Sequence, residues 1–213
     1  MLIVLTGLDG SGKTTAAHAL VDAVRQAGSS ALLLRNYAGR RRMSLIGAKL
    51  GLHLPPRLAD VIETVVRTFN VLNSHRRALR FQGIVVMDRH LHCPLALREA
   101  QGLPRGRWLP LLLRTLPQPD LVIHLEVEPR EAHTRVAKRG TDSEQLADLE
   151  ALRDAYQSLP EFPRFTIIPA GGPPAEVLSR LQDAITRSGG GTAAQEFFRH
   201  PVPHVGRGPQ LGD

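Results

Sequence analysis

One cysteine, Cys93, stands in a chain of 213 residues. A single thiol excludes a disulfide within the chain, and with it a disulfide-stapled scaffold. Lysine is also scarce: 3 of the 27 basic residues are lysine and 24 are arginine. Aromatic residues make up only 4% of the sequence. That argues against a single-strand nucleic-acid binder, which interleaves aromatic and basic side chains to stack bases. No run nears the ~18 consecutive apolar residues of a membrane helix. The apolar stretch from Leu109 stops at Arg114. The N-terminus has no basic segment and only a short apolar run from Leu2 to Leu5, so it does not read as a secretory signal. The expectation is a cytoplasmic protein without a membrane attachment.

What is present is ordinary in bulk: 42% hydrophobic and 22% charged residues. At roughly 100–200 residues per domain, the length allows one domain and some tail. The net charge of +7 is less ordinary. Arginine's planar fork suits phosphate, so the excess fits a nucleotide or nucleic-acid ligand. Biased composition explains the excess equally well.

Short apolar runs alternate with helical patterns. Residues 2–5, 31–34, 84–87, 121–125 and 165–168 read as strands; 14–27, 58–81, 128–139, 143–158 and 174–187 read as helices. Residues 36–56 read as irregular, and 91–119 as partly helical but broken by prolines. This alternation predicts an α/β fold with a parallel sheet covered on both faces. The expected domain is 1–187. Residues 188–213 open on Gly189-Gly190-Gly191 and read as a flexible Gly/Pro-rich tail.

The strongest local signal is Gly7-Leu8-Asp9-Gly10-Ser11-Gly12-Lys13-Thr14, an ungapped G-x-x-x-x-G-K-[ST]. A buried strand precedes it and a helix follows, as a phosphate-binding loop requires. Its glycines let successive N–H groups converge on one anion, at the positive end of a helix. Gly7 to Thr15 form the expected ATP site. There Lys13 reaches the β- and γ-phosphates and Thr14 supplies a hydroxyl to magnesium.

A second signal is the strand end Met87-Asp88-Arg89-His90. Ligands in open α/β sheets bind beyond the carboxyl ends of the strands, which places Asp88 and Arg89 beside the phosphate loop. Asp88 is expected to hold magnesium or accept a proton, and Arg89 to neutralise a transferring phosphoryl group. The alternative is a strand-end ion pair. His90 and His92 alone do not make a metal site, and Cys93 reads as a small buried residue.

These blocks resemble the thymidylate kinase family of P-loop nucleoside monophosphate kinases. The likeness lies in GLDGSGKTT at residues 7–15, Asp88-Arg89-His90, the segment from Pro119 to Pro129, and Arg135-Val136-Ala137-Lys138-Arg139-Gly140, which is similar to the family's lid. The resemblance implies a five-stranded parallel sheet of the P-loop NTPase type with a helical lid. It implies ATP and Mg²⁺ as cofactors and phosphoryl transfer to a nucleoside monophosphate, with thymidine monophosphate the default. Arg135 and Arg139 would act over the donor phosphates; four residues apart, they share a helix face. Asp9 would sit near the acceptor sugar or the metal, and Arg89 would contact the acceptor phosphate. Family members often pair through the long helix, so a homodimer is a possible assembly.

The acceptor half departs from the family pattern. Arg35 carries over as a phosphate contact, but the glutamate and proline that follow it in the family are missing. On the long helix, Phe69 is offered for base stacking and Arg76 for a base carbonyl, although Phe69 reads equally as core and Arg76 as a solvated residue. A kinase acting on a deoxynucleoside or sugar hydroxyl is the close alternative; it needs a base, for which Asp88 or Asp9 is the candidate. An ATP-binding regulator or nucleic-acid-associated protein, suggested by Arg40-Arg41-Arg42 and the tail arginines Arg199 and Arg207, is the third.

Overall fold

The computed structural model describes residues 1–36, 56–140 and 145–188. Five strands form one sheet: β1 Leu2–Gly7, β2 Ala31–Arg35, β3 Ile84–Asp88, β4 Leu121–Glu126 and β5 Thr166–Pro169. Their order is β2-β3-β1-β4-β5, and every pair is parallel. The helices are α1 Lys13–Gln26, α2 Pro56–Ala78, α3 His92–Ala100, α4 Trp108–Thr115, α5 Pro129–Arg139, α6 Leu146–Ser158 and α7 Pro174–Ser188.

The strands are apolar throughout because both faces of the sheet are covered. Ile3 and Leu5 join one core cluster with Ala17, Leu20 and Val24 of α1 and Leu181 and Ile185 of α7. Val4, between them, points the other way, toward Leu34, Val85 and Met87. That is the period of two a strand imposes. A further cluster packs Leu95, Leu109, Leu149 and Tyr156 beneath Leu8. Helix α1 buries Ala16, Ala17, Leu20, Val21 and Val24, the one-sided spacing of an amphipathic helix. Each large side chain so buried contributes about 1.5–3 kcal/mol.

The boundaries differ from expectation in ways that have causes. The 91–119 stretch is two helices, separated where Gly102 and Gly106 take positive φ and Pro104 lies between them. Helix α2 stops at Ala78, where Arg80 and Phe81 switch to tighter bonds onto Arg77 and Ala78. Strand β5 starts at Thr166 because Phe165 follows a 3₁₀ turn over Phe162–Arg164 and packs against His92 and Phe162. Ser188 is the last residue of α7 rather than the first of a tail. The rest of the expected tail, the triple arginine and the start of the helix expected at 143 lie outside the described residues.

Candidate active site

The strand order brings two motifs together that lie about 80 residues apart in the chain. Strands β1 and β3 are neighbours, with Leu5 opposite Asp88. The loop after β1 and the turn after β3 therefore open side by side at the carboxyl ends of the strands.

The loop over residues 7–13 curls as a phosphate cradle must. Gly7, Gly10 and Gly12 all take positive φ. A Cβ on Gly10 would lie 2.5 Å from the Ala132 carbonyl oxygen, so only glycine lets the loop approach α5 this closely. Gly12, at φ 83°, caps α1 without a side-chain hydrogen bond and leaves the helix N-terminus to a ligand. Lys13 is 4% exposed and folds over its own loop. Its ammonium donates to the Gly7 carbonyl at 3.0 Å and the Leu8 carbonyl at 2.5 Å, with Asp9 at 3.6 Å. Burial lowers its pKa, the Arg89 charge adds to the effect, and Asp9 and Asp88 oppose it.

Thr14 and Asp88 meet directly: the Thr14 hydroxyl donates to Asp88 Oδ2 at 2.7 Å. Asp88 is 1% exposed, and its Oδ1 is buried without a hydrogen-bond partner. A buried, unpartnered carboxylate oxygen beside a hydroxyl is a hard-oxygen donor set, and it fits a divalent cation such as Mg²⁺. Next to it, Arg89 forms an ion pair with Asp9. Burial disfavours the Arg89 charge, but Asp9, Cys93 and Asp88 outweigh burial and hold its pKa above the ordinary value. One loop and one strand end thus set Lys13, Thr14, Asp9, Asp88 and Arg89 around a single space.

Helix α5 closes the other side. Arg135 donates to the Ala170 and Gly171 carbonyls at 3.0 and 3.1 Å and pairs with Glu131 at 2.5 Å. It also lies 3.5 Å from the Gly10 carbonyl. Arg135 therefore ties α5 to the loop after β5 as well as facing the phosphate loop, and Glu131 is a partner that sequence reasoning missed. Arg135 and Arg139 share a cavity of about 420 Å³ with Gly10, Gly12, Thr15 and Val177. That volume suits a small ligand such as a nucleotide.

A model of the thymidylate kinase family matches residues 5–181. The chain belongs to the thymidylate kinase family. It is 31% identical to a probable thymidylate kinase of Thermococcus onnurineus, over 80% of this chain and 89% of that protein. A probable thymidylate kinase of Sulfurisphaera tokodaii is 29% identical, over 79% of this chain and 86% of the relative. One of Thermococcus kodakarensis is 30% identical, over 80% and 89%. The five-stranded parallel sheet with its phosphate loop is the fold expected of a thymidylate kinase-family nucleotide kinase. No helix among the described residues is long and apolar enough to cross a membrane.

Of the residues expected at the acceptor, Phe69 and Arg76 lie on the exposed face of α2 and Arg35 lies at the end of β2. Helix α2 turns Glu63, Arg67, Val71, Ser74 and His75 inward, at helical spacing. Phe69 lies on the opposite face and is 70% exposed. Arg76 lies on that face too, and is exposed. Neither is brought to the cluster around Arg89, because each sits roughly half a turn from the inward stripe. The inward cation is Arg67, which sequence reasoning missed. It is 4% exposed; its Nη2 donates to Glu63 at 2.9 Å, and its Nε and Nη1 have no hydrogen-bond partner. The four-residue spacing of Glu63 and Arg67 was the available signal, but it reads as a solvated helix pair. Arg35 ends β2 opposite Asp88 in register and is exposed.

Behind the site, the His75 and His90 Nε2 atoms lie 2.9 Å apart, and the His90 and His92 rings sit 5.2 Å apart, tilted by 34°. Burial lowers the pKa of all three. Cys93 is buried, and so is Tyr156, whose pKa burial raises.

Proposed function

We propose that this chain transfers the γ-phosphoryl group of ATP to thymidine monophosphate in a Mg²⁺-dependent reaction. The observation that carries the reading is the placement of the Thr14–Asp88 pair, Lys13 and the Asp9–Arg89 pair around one space, in a chain of the thymidylate kinase family. The loop N–H groups and Lys13 bind and orient the donor phosphates. Thr14 and Asp88 would hold Mg²⁺, which would supply neutralisation of the phosphate charge. Asp9 orients Arg89, and Arg89 meets the acceptor phosphate. Arg135 and Arg139 cover the donor side and exclude water. The acceptor phosphate is already ionised, so its oxygen attacks in line without a strong general base.

In place of Phe69 and Arg76, we assign the base contact to Arg67. Its unpartnered nitrogens, Nε and Nη1, are buried, and Glu63 fixes the guanidinium plane. Arg35 remains the candidate second contact to the acceptor phosphate. We also propose a homodimer through α2. Leu58, Val61, Val65, Phe69 and Leu72 form an exposed apolar stripe along it, with Leu79 just past its end, and pairing with a second copy removes that stripe from water. A cytoplasmic location goes with ATP as donor.

The test is transfer from γ-labelled ATP with Mg²⁺ to a panel of nucleoside monophosphates, nucleosides and phosphorylated sugars. Thymidine diphosphate as the dominant product, absent with Lys13→Ala, is the expected result. Label on a nucleoside or sugar hydroxyl overturns the acceptor assignment. ATP binding without transfer to any acceptor overturns the kinase reading. Arg67→Met is expected to raise KM for thymidine monophosphate about ten-fold or more while leaving KM for ATP unchanged.

A further inference from the structure

Arg89 has φ 75°, and among the described residues it is the only non-glycine with positive φ. Side chains rarely adopt this conformation, and it persists where the surroundings over-determine it. Three hydrogen bonds do so here. The Arg89 N–H donates to the Leu5 carbonyl at 3.0 Å. The other two come from Asn36, the first residue after β2. Its backbone N–H donates to the Asp88 carbonyl at 3.0 Å, and its Nδ2 donates to the Arg89 carbonyl at 2.7 Å. Asn36 is 0% exposed.

The amide is itself held. Ser74 of α2 donates its hydroxyl to Asn36 Oδ1 at 2.7 Å. A backbone carbonyl can only accept, so the bond to Arg89 fixes Nδ2 on that side and Oδ1 toward Ser74. Few side chains can do both. Aspartate keeps the acceptor for Ser74 and loses the donor for Arg89; alanine loses both. One residue along, His75 of the same helix meets His90 at 2.9 Å. Helix α2 therefore braces the Arg89 peptide through Asn36 and the next residue directly.

We infer that Asn36 is a positioning residue for phosphoryl transfer: it locks the Arg89 peptide so that the guanidinium is aimed at the acceptor phosphate, and Ser74 sets the direction of its amide. The inference rests on the proposed contact between Arg89 and the acceptor. It assigns a task to the position where the sequence departs from the family's glutamate. Asn36 touches no reacting atom, and its side-chain Nδ2, the group the substitution removes, acts through the Arg89 carbonyl.

A double-mutant cycle tests this. Glycine adopts φ 75° freely, so Arg89→Gly removes the guanidinium without straining the turn. Asn36→Asp is expected to lower kcat/KM for the acceptor roughly ten-fold, in line with losing one buried hydrogen bond and the aim it gives. KM for ATP stays unchanged. Ser74→Ala produces a smaller loss of the same kind, about three-fold. Adding Asn36→Asp to Arg89→Gly produces no further loss, because the group it aims is gone. Should Asn36→Asp fail to fold, Ser74→Ala combined with Arg89→Gly closes the same cycle.

Losses that add in the double variant overturn the inference, because Asn36 then acts on the fold at large. A rise in KM for ATP with Asn36→Asp, or a rate equal to the parent, overturns it as well. An Arg89→Gly variant with the parental rate refutes the Arg89 contact itself, and the inference with it. The single-variant rates keep the two failures apart.

Discussion

The close approach of the phosphate loop to α5 makes a quantitative prediction from two neighbouring glycines. Gly10 and Gly12 have nearly the same backbone, φ 89° and 83°. Their surroundings differ. A Cβ on Gly12 meets nothing within 4 Å, whereas one on Gly10 lands 2.5 Å from the Ala132 carbonyl oxygen and 2.9 Å from its carbonyl carbon and Cα. Those atoms are helix backbone and cannot swing aside. Gly12→Ala therefore carries only the left-handed strain of an L-residue, about 1–2 kcal/mol. Gly10→Ala carries the same strain and must also push α5 away from the loop, an overpacking cost of about 1–3 kcal/mol. In a domain of this size each kcal/mol moves Tm by about 2–4 °C. Gly10→Ala should therefore melt about 2–12 °C below Gly12→Ala. Scanning calorimetry of the two variants under one buffer reads this directly. Equal melting temperatures would refute the argument, since they would mean that α5 yields to the loop at no cost.

Three further outcomes are expected. Asp88→Asn keeps a partner for the Thr14 hydroxyl but removes the charge at the unpartnered buried oxygen, so the Mg²⁺ concentration needed for half-maximal rate should rise about ten-fold or more; an unchanged Mg²⁺ titration refutes the metal assignment. His92 and His124 are pushed down to about 4, both by burial, with Glu161 opposing at His92 and the Lys13 charge adding at His124. The unfolded chain takes up these protons near pH 6.5 and the folded chain only near 4. Stability should therefore fall as pH drops from about 6.5 to 4 and then level, by on the order of 3 kcal/mol per histidine; a urea midpoint independent of pH across that window sinks the prediction. Phe69→Glu places a charge in the exposed α2 stripe and should give a monomer by analytical ultracentrifugation while leaving Tm within a few degrees of the parent; a dimer that survives the change points to another interface.

The geometry of the phosphate loop was legible because its pattern is written in consecutive residues. A strand, a glycine-rich turn and a lysine at a helix start are fixed by local backbone geometry, so residues 7–14 and the strand end at Asp88 read out together. The sheet was legible for a related reason: strands buried on both faces are short apolar runs, and these were found to within about two residues. The buried stripe of α2 was less legible, because that helix mixes the usual pattern. Its exposed face carries Phe69 and Val65 beside Arg76, and its inward face carries Glu63, Arg67, Ser74 and His75 beside Val71. The order of apolar and charged residues therefore does not mark which stripe is buried, although the solvated reading of Arg76 agrees with its exposure. Asn36 was hidden for another reason: it lies one residue beyond β2, and its partners, Arg89 and Ser74, are set by the tertiary arrangement.

The pairing of β3 with β1 has a consequence for how such a protein can change. The ladder that sets Leu5 opposite Asp88 indexes Thr14 and Asp88 to each other, and from the intervening chain β2 and Asn36 hold β3 on its other side. Everything from the end of β2 to the start of β3 is a cassette. It can be lengthened, shortened or exchanged while the metal and phosphate machinery keeps its coordinates, provided that two latches survive: an amide after β2 and a hydroxyl on the returning helix. New acceptors can then be explored by grafting that cassette between relatives, with Asn36 and Ser74 carried along as the pair that re-registers it.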